Sequence, residues 1–329
     1  MSRSRDMKST TVAHRSRSLH LLCTAAVAYV LITCAGAAAQ GKPVPAPSTA
    51  QKTFATAQEA ANALVSAAET FDRPALKSIL GPDGDYLVAP GEPAQDQATA
   101  MAFAARARQK LAVVTDSKNP NRATIIVGDQ DWPLPIPIVR KAGQWRFDSA
   151  AGRQEILYRT IGSNELDAIQ ICRGYVEAQH EYALVVHEGS RINQYAQRII
   201  SEPGKQDGLA WQNPDGTWGG PVGENVAKAI EQGYAEKAIP YHGYLFKVLK
   251  GQGPAAPLGE MDFVVKGAMI GGFALVAAPA EYLLTGVTTF IVGHDGIVYE
   301  KDLGAETLIA FKAMERFNPD KTWTWVIDK

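Results

Sequence analysis

Three prolines at alternate positions of one apolar run constrain the fold of this chain more than any other feature. The run reads Trp132-Pro133-Leu134-Pro135-Ile136-Pro137-Ile138-Val139. Backbone N–H groups along a β-strand alternate between its two edges, so these prolines remove donors from one edge only. The run therefore predicts an edge strand whose proline side is closed to further pairing. A polyproline ligand for another domain is the alternative interpretation.

The segments around this run predict one layer of helices and one sheet. Thr56 and Glu59 have the spacing of a capping box, and alanine and leucine then recur at helical intervals. Asp72 followed by Pro74 is typical of a second helix start. We predict helices over 56–68, 72–80 and 93–110, and strands over 123–127, 132–139 and 144–147.

A second set of patterns begins near Ile161. We predict a long helix over Asn164–Tyr182 with an apolar stripe made of Leu166, Ile169, Cys172 and Val176. A glycine- and proline-rich stretch follows and extends to Gly223. Beyond it we predict helices over 224–232 and 305–317, strands over 244–249, 261–265, 273–277, 287–292 and 297–300, and a terminal strand at 323–325.

The order of these elements predicts an α+β fold of two units, 54–160 and 161–329. In each unit, N-terminal helices would pack on a mostly antiparallel sheet. A chain of this length is ample for one or two hydrophobic cores.

The first 39 residues have the pattern of a secretory signal peptide. Five basic residues precede an apolar run, Leu19–Ala39, which closes on three alanines. We therefore expect cleavage after Ala39, a proline-rich linker over 40–53 and a periplasmic or secreted protein. An uncleaved membrane anchor and a lipoprotein lipidated at Cys34 are the alternatives.

Cleavage at that position changes the charge and the cysteine content of the chain. It leaves 28 basic and 33 acidic residues, a formal charge of −5. This balance argues against binding to nucleic acid or to an anionic membrane surface. Cys172 alone remains, so an internal disulfide is excluded and the fold must be stabilised by its core.

Several short segments, spread over most of the chain, together identify a family. They are Phe54-Ala55-Thr56, Asp131 to Pro137, Gln144 to Asp148, Asn164-Glu165-Leu166, Tyr241 to Tyr244, Met269 to Ala274 and His294-Asp295-Gly296. From about residue 54 to the C-terminus the chain resembles bacterial secreted proteins classed as domain of unknown function 2950. The resemblance implies an exported envelope protein of unassigned activity.

Each half of the chain also resembles a broader group. The helices and the final Gly-x-Trp-Arg-Phe strand of residues 54–150 are similar to the nuclear-transport-factor-2-like superfamily, which implies a cone-shaped α+β fold that often encloses a pocket. The second half looks like the soluble part of pilins and pseudopilins. It lacks their wholly apolar N-terminal helix, so filament assembly is not implied.

Residues with catalytic or binding chemistry are few. Cys172 lies on an apolar stripe, which favours a buried structural thiol over a nucleophile. His180 and His187 do not have zinc-ligand spacing. The ligand-binding candidates are His242, His294 and Asp295, because a sheet could bring their two segments together. We predict no catalytic residues, no cofactor and no metal.

These observations predict an exported envelope protein that binds or scaffolds without catalysis. Its partner would be an envelope protein or a small ligand, with no nucleic acid and no membrane contact after signal cleavage. The alternatives are a hydrolase-like envelope enzyme with an unfamiliar site and an accessory partner of a secretion or pilus assembly.

Overall fold

The computed structural model describes residues 50–88, 93–187, 189–223 and 240–327. The predicted signal peptide, most of the predicted linker and the helix predicted over 224–232 lie outside these ranges. From Thr49 onward the chain forms one compact unit. Helices and mostly antiparallel sheets make it an α+β fold, as predicted from the sequence.

Side-chain caps set the starts of the first two helices. Thr56 and Asp72 each accept a hydrogen bond from a backbone N–H three residues ahead. They begin α1 (Ala57–Glu69) and α2 (Arg73–Leu80), as predicted. The other helices of the described residues are α3 (Asp85–Val88), α4 (Pro93–Gln109), α5 (Ser149–Tyr182) and α6 (Thr307–Ala313), with 3-10 turns at Pro82–Gly84 and Gly304–Glu306.

The first sheet is antiparallel and packs against α1, α2 and α4. Its strands are β1 (Leu111–Thr115), β2 (Arg122–Val127), β3 (Trp132–Pro133), β4 (Ile138–Lys141) and β5 (Gln144–Phe147), in the order β1-β2-β4-β5 with β3 also on β2. Burial alternates along β2, because one face meets the helices and the other is partly open to solvent. Strand β1 was not predicted.

The proline run does not form a single edge strand. It forms β3 and β4, which pair with the same side of β2, and residues 134–137 bend between them. Because β4 lies between β2 and β5, the prediction of an open edge along the whole run is wrong. The prolines lack N–H donors, but each keeps a carbonyl acceptor, so their side of the run can still form hydrogen bonds.

Helix α5 and the residue that caps its start supply donors for this proline side. The Pro133 carbonyl accepts from Arg159 Nη1 at 2.7 Å, and the Pro137 carbonyl accepts from the Asp148 N–H at 2.9 Å. A Cβ placed on Gly152 would lie 3.1 Å from Ile136 Cα, so the first turns of α5 lie directly on the run. The prolines therefore mark a helix-docking side of the sheet.

A second sheet forms most of the remaining core. Its antiparallel strands have the order β17-β16-β15-β14-β9: β9 (Tyr244–Leu249), β14 (Ala274–Pro279), β15 (Thr288–Gly293), β16 (Val298–Asp302) and β17 (Thr324–Trp325). Smaller sheets contain β6 (Arg198–Ile200), β7 (Gly208–Gln212) and β8 (Trp218–Gly219), then β10 (Gly251–Gln252) with β11 (Met261–Asp262), and β12 (Val264–Val265) with β13 (Ala268–Met269). The single strand predicted over 261–265 is thus two short ones.

Helix α5 begins 15 residues before the predicted start at Asn164 and continues through the proposed unit boundary at 160–161. The buried residues form two clusters, one under the first sheet and one around the second. Cys172 is fully buried, as predicted, but Leu166 is 65% exposed and is not part of the buried stripe. The division into units 54–160 and 161–329 stays a prediction.

Polar side chains of α5 fix the helix to the second sheet. Glu165 Oε1 accepts from the backbone N–H groups of Val287 and Thr288, both at 3.0 Å. Asn164 Nδ2 donates to the Thr285 carbonyl at 2.8 Å. The Asn-Glu pair in the sequence therefore positions the helix.

Candidate functional site

His242 lies in a tight turn before β9. The backbones of Tyr241 and Tyr244 exchange two hydrogen bonds of 3.0 Å, and both turn residues, His242 and Gly243, have positive φ. His242 Nδ1 lies 2.5 Å from Asp167 Oδ2 on α5, and both side chains are exposed. This contact links the turn to the helix at the protein surface.

His294 and Asp295 follow β15 at the other end of the same sheet. Asp295 Oδ1 accepts from the Ile297 N–H at 3.1 Å, which is turn chemistry. The His294 Nδ1 atom is buried and has no hydrogen-bond partner among the described residues. The His294 ring lies edge-on to Phe263, at 6.4 Å between centroids.

The structure does not bring these candidates together. Tyr244, at the start of β9, pairs with Pro279, whereas Ala274 pairs with both Leu249 and Gly293. His242 and His294 therefore lie beyond opposite ends of strands that are six residues long, about 20 Å apart along the sheet. A binding role for His242, His294 or Asp295 stays a prediction, but they cannot share one site.

One groove of about 430 Å³ follows α5. Leu275 of the second sheet lies in its floor, Ile199 and Leu209 line one wall, and Glu177 and Glu181 lie on the exposed side of the helix. Its lining combines aliphatic side chains with the polar groups of Gln170, Tyr241 and the two glutamates.

A second groove of about 520 Å³ combines aromatic and polar side chains, and we call it the tryptophan groove. It is lined by residues 200–206, 211–214 and Trp218. One wall is the loop between β6 and β7, and the other is the β7–β8 hairpin, whose turn at Asn213–Thr217 closes with a 2.7 Å backbone hydrogen bond.

Close packing holds the Trp211 ring in place. A Cβ on Gly219 would lie 2.7 Å from the indole Nε1, and one on Gly220 would lie 2.9 Å from Cζ3, so the ring lies against bare backbone. Its edges meet Tyr182 at 6.5 Å and His187 at 5.4 Å between ring centroids. Such packing restricts the ring before a ligand arrives.

Hydrogen bonds within the chain fix the loop opposite the hairpin. Ser201 Oγ accepts from the Gly208 N–H at 2.8 Å, and an Asp207 oxygen accepts from the Glu202 N–H at 3.0 Å. The Tyr182 hydroxyl donates to the carbonyl of Gln206. Burial raises the pKa of Tyr182 to about 12, so the hydroxyl keeps its proton at neutral pH.

The charges beside the groove are balanced. Glu202 pairs with Lys205 and with Arg198, and Arg198 also lies 3.4 Å from Asp207. The hydrogen bond from Lys205 lowers the pKa of Glu202, so its carboxylate is ionised at neutral pH. Two cations and two carboxylates leave no net charge in this group.

The sequence contains a signal for this groove within the glycine- and proline-rich stretch that extends to Gly223. Pro214-Asp215-Gly216 is a turn signal, with Trp211 before it and Trp218 after it. A tryptophan on each side of a turn indicates an aromatic hairpin.

Comparison with known proteins places the chain by family only. The model of a family described as Protein of unknown function (DUF2950) matches residues 51–326. No curated protein matches, and no solved structure matches. The resemblances to nuclear-transport-factor-2-like proteins and to pilins therefore stay predictions.

Among the residues that the structure describes, no helix is both long and apolar enough to cross a membrane. Within the same residues, no group of histidine, cysteine or acidic side chains is arranged to hold a metal ion.

Proposed function

The chain belongs to the DUF2950 family of proteins of unknown function, and we propose that it is an exported, non-catalytic binding protein whose ligand lies in the tryptophan groove. The observation that carries this proposal is the groove itself, which two tryptophans line and one wall of which is a loop held by internal hydrogen bonds. A site that is already ordered loses little conformational entropy on binding. Its volume lies in the usual range for small-molecule sites.

We favour the tryptophan groove over the groove along α5, because two indole rings lie beside its polar groups and the groove along α5 has no tryptophan in its lining. Ligand sites commonly combine apolar surface with a few convergent polar groups. Gln212, Asn213 and Glu202 supply such groups beside the indoles. An enzyme built on the two histidines is disfavoured, since His242 and His294 lie at opposite ends of the second sheet.

Export is the second part of the proposal. It is supported by the basic segment, the apolar run and the three alanines that end at Ala39. The intact mass of the protein recovered from the envelope tests it. A chain that begins at Gln40 agrees with the proposal, and a retained leader or a lipid on Cys34 contradicts cleavage there.

Ligand capture tests the binding function. The exported chain, its Trp218→Ala variant and a Trp325→Ala control would be incubated with a small-molecule extract of the cell envelope and examined by native mass spectrometry. Trp325 is exposed on β17, away from the groove. We expect a bound molecule on the wild type and the control, and a loss of about tenfold or more in occupancy for Trp218→Ala.

Circular dichroism and thermal unfolding would confirm that each variant is folded. Equal capture by all three proteins, or capture by none, contradicts a ligand in this groove. If Trp218→Ala does not fold, Gln212→Ala replaces it, because the Gln212 side chain is exposed and its one internal hydrogen bond is long, at 3.4 Å.

A further inference from the structure

We infer that the ligand of the tryptophan groove is a short, uncharged glycan; this inference rests on the proposed function and names the class of ligand. Three features of the groove carry it: the indole rings of Trp211 and Trp218, the side-chain amides of Gln212 and Asn213, and the cancelled charge of the loop between β6 and β7.

The indole rings match the apolar faces of pyranose rings. A sugar ring presents C–H groups on its faces and hydroxyl groups around its rim. The face of an aromatic ring is electron-rich and attracts the positive edge of a C–H group. Trp211 and Trp218, both half-buried, line the groove from opposite faces of the hairpin, because Trp211 pairs with Gly219 and Trp218 pairs with Gln212. Trp218, which shares a face with Gln212, is therefore the main indole surface for such a contact.

The amides match the hydroxyl rim of a sugar. Each hydroxyl group both donates and accepts hydrogen bonds, and so does a side-chain amide. Gln212 is exposed and is held only by the long contact to the Gly216 carbonyl, so it can turn toward a ligand. The Asn213 side-chain amide donates to Thr217 Oγ1 at 3.0 Å. This hydrogen bond fixes the side chain, and with it the Asn213 side-chain oxygen, beside the groove.

The charge of the lining selects against ionic ligands. The ionisable side chains that line the groove are Glu202 and Lys205, which pair with each other. A phosphate, sulfate or uronic acid would approach the Glu202 carboxylate, and a cationic ligand would approach Lys205 and Arg198. Like charges placed together cost binding free energy, whereas an uncharged ligand avoids both penalties.

Titration of the exported chain with defined glycans tests the inference. The panel contains tetrasaccharides of β-1,4-glucose, α-1,4-glucose, β-1,4-N-acetylglucosamine and α-1,6-mannose, with sulfated forms of each for comparison. The chain has six tryptophans, whose indole N–H signals can be assigned by single Trp→Phe variants. We expect at least one neutral glycan to shift the signals of Trp211 and Trp218 and to leave that of Trp325 unchanged.

Variants then give the expected magnitudes. Trp218→Ala should weaken the dissociation constant about tenfold or more through lost stacking. Gln212→Leu keeps the size of the side chain and removes its amide, so it should weaken binding about three- to tenfold. Trp325→Ala, the matched control, should bind as the wild type does.

The outcomes separate the inference from the proposed function. If no neutral glycan shifts the two signals at about 10 mM, a concentration that still detects millimolar binding, the glycan inference is wrong. The binding function survives that result if a molecule from the envelope extract is still lost in Trp218→Ala. Tighter binding of a sulfated form than of its neutral parent, or an unchanged affinity of Gln212→Leu, would also overturn the inference.

Discussion

The two large sheets of this protein are buried in different ways. Along β2 of the first sheet, buried and partly exposed residues alternate, because helices cover one face. Along β14 of the second sheet, all six residues are buried. Leu275 meets the α5 side, whereas Val276 shares the face of Lys247, whose Nζ donates to the Phe311 carbonyl at the end of α6.

This difference teaches how to read the apolar patterns of the sequence. A sheet covered on one face gives period-two alternation, and a sheet covered on both faces gives a continuous apolar run. Strand Ala274–Pro279 reads Ala-Leu-Val-Ala-Ala-Pro, with no polar position. Antiparallel pairing does not prevent burial of both faces when helices flank the sheet.

The largest effects are expected from neighbouring residues on β14. Leu275→Ala should lower the free energy of unfolding by about 2–5 kcal/mol, and Val276→Ala by about 2 kcal/mol, because each leaves a cavity on its own face. Urea unfolding followed by circular dichroism measures both. A loss below about 0.5 kcal/mol for Val276→Ala would show that the α6 face is not a packed core.

Matched substitutions on β2 should give an asymmetric result. Ile125 is fully buried, and Ile125→Ala should cost about 2–5 kcal/mol. Ile126 points to the partly open face, so Ile126→Ala should cost about 1 kcal/mol or less. Equal losses of unfolding free energy for the two variants in the same assay would show that both faces of the first sheet are buried, as in the second sheet.

Substitutions at two glycines of α5 test how closely the helix packs on its neighbours near each glycine. A Cβ at Gly152 would press on Ile136, so Gly152→Ala should destabilise the protein by about 1–3 kcal/mol. A Cβ added at Gly174 would lie in open space, so Gly174→Ala should stabilise the protein by about 0.5–1 kcal/mol, because alanine has the higher helix propensity. In differential scanning calorimetry, the two substitutions should shift the unfolding temperature in opposite directions. Shifts in the same direction would contradict this packing.

The smallest signal is expected from Cys172 in the native protein. Burial raises the pKa of its thiol to about 12, so it stays protonated and inaccessible near pH 8. A thiol reagent should label the protein at this cysteine only on unfolding. Leu275→Ala should speed the labelling. Rapid labelling of the native wild type would show that the reagent reaches the buried cluster around the second sheet.

Much of the fold follows from local signals in the sequence. The caps at Thr56 and Asp72 begin helices as predicted, and β9 has the predicted bounds, 244–249. The start of α5 was missed although Asp148 caps it, accepting from the Ala151 N–H at 3.1 Å. Its first turns are stabilised by contact with the proline run, which is a tertiary effect that periodicity does not register.

The candidate site was less predictable than the fold. The tryptophan groove is assembled from the loop after β6 and the β7–β8 hairpin, and Tyr182 at the end of α5 holds that loop, so its walls meet only in the folded chain. The histidine candidates failed to meet for a similar reason. Their separation depends on strand order and register in the second sheet, which the residues around His242 and His294 do not specify.

Helix α5 fixes the distance and the rotation about its axis between the residues at its two ends. Its 34 residues extend about 51 Å, from the proline run to Tyr182, whose hydroxyl donates to the Gln206 carbonyl in the wall of the tryptophan groove. Removing one residue from its middle would shorten it by about 1.5 Å and turn everything beyond by about 100°. The helix should therefore tolerate substitution far better than insertion or deletion.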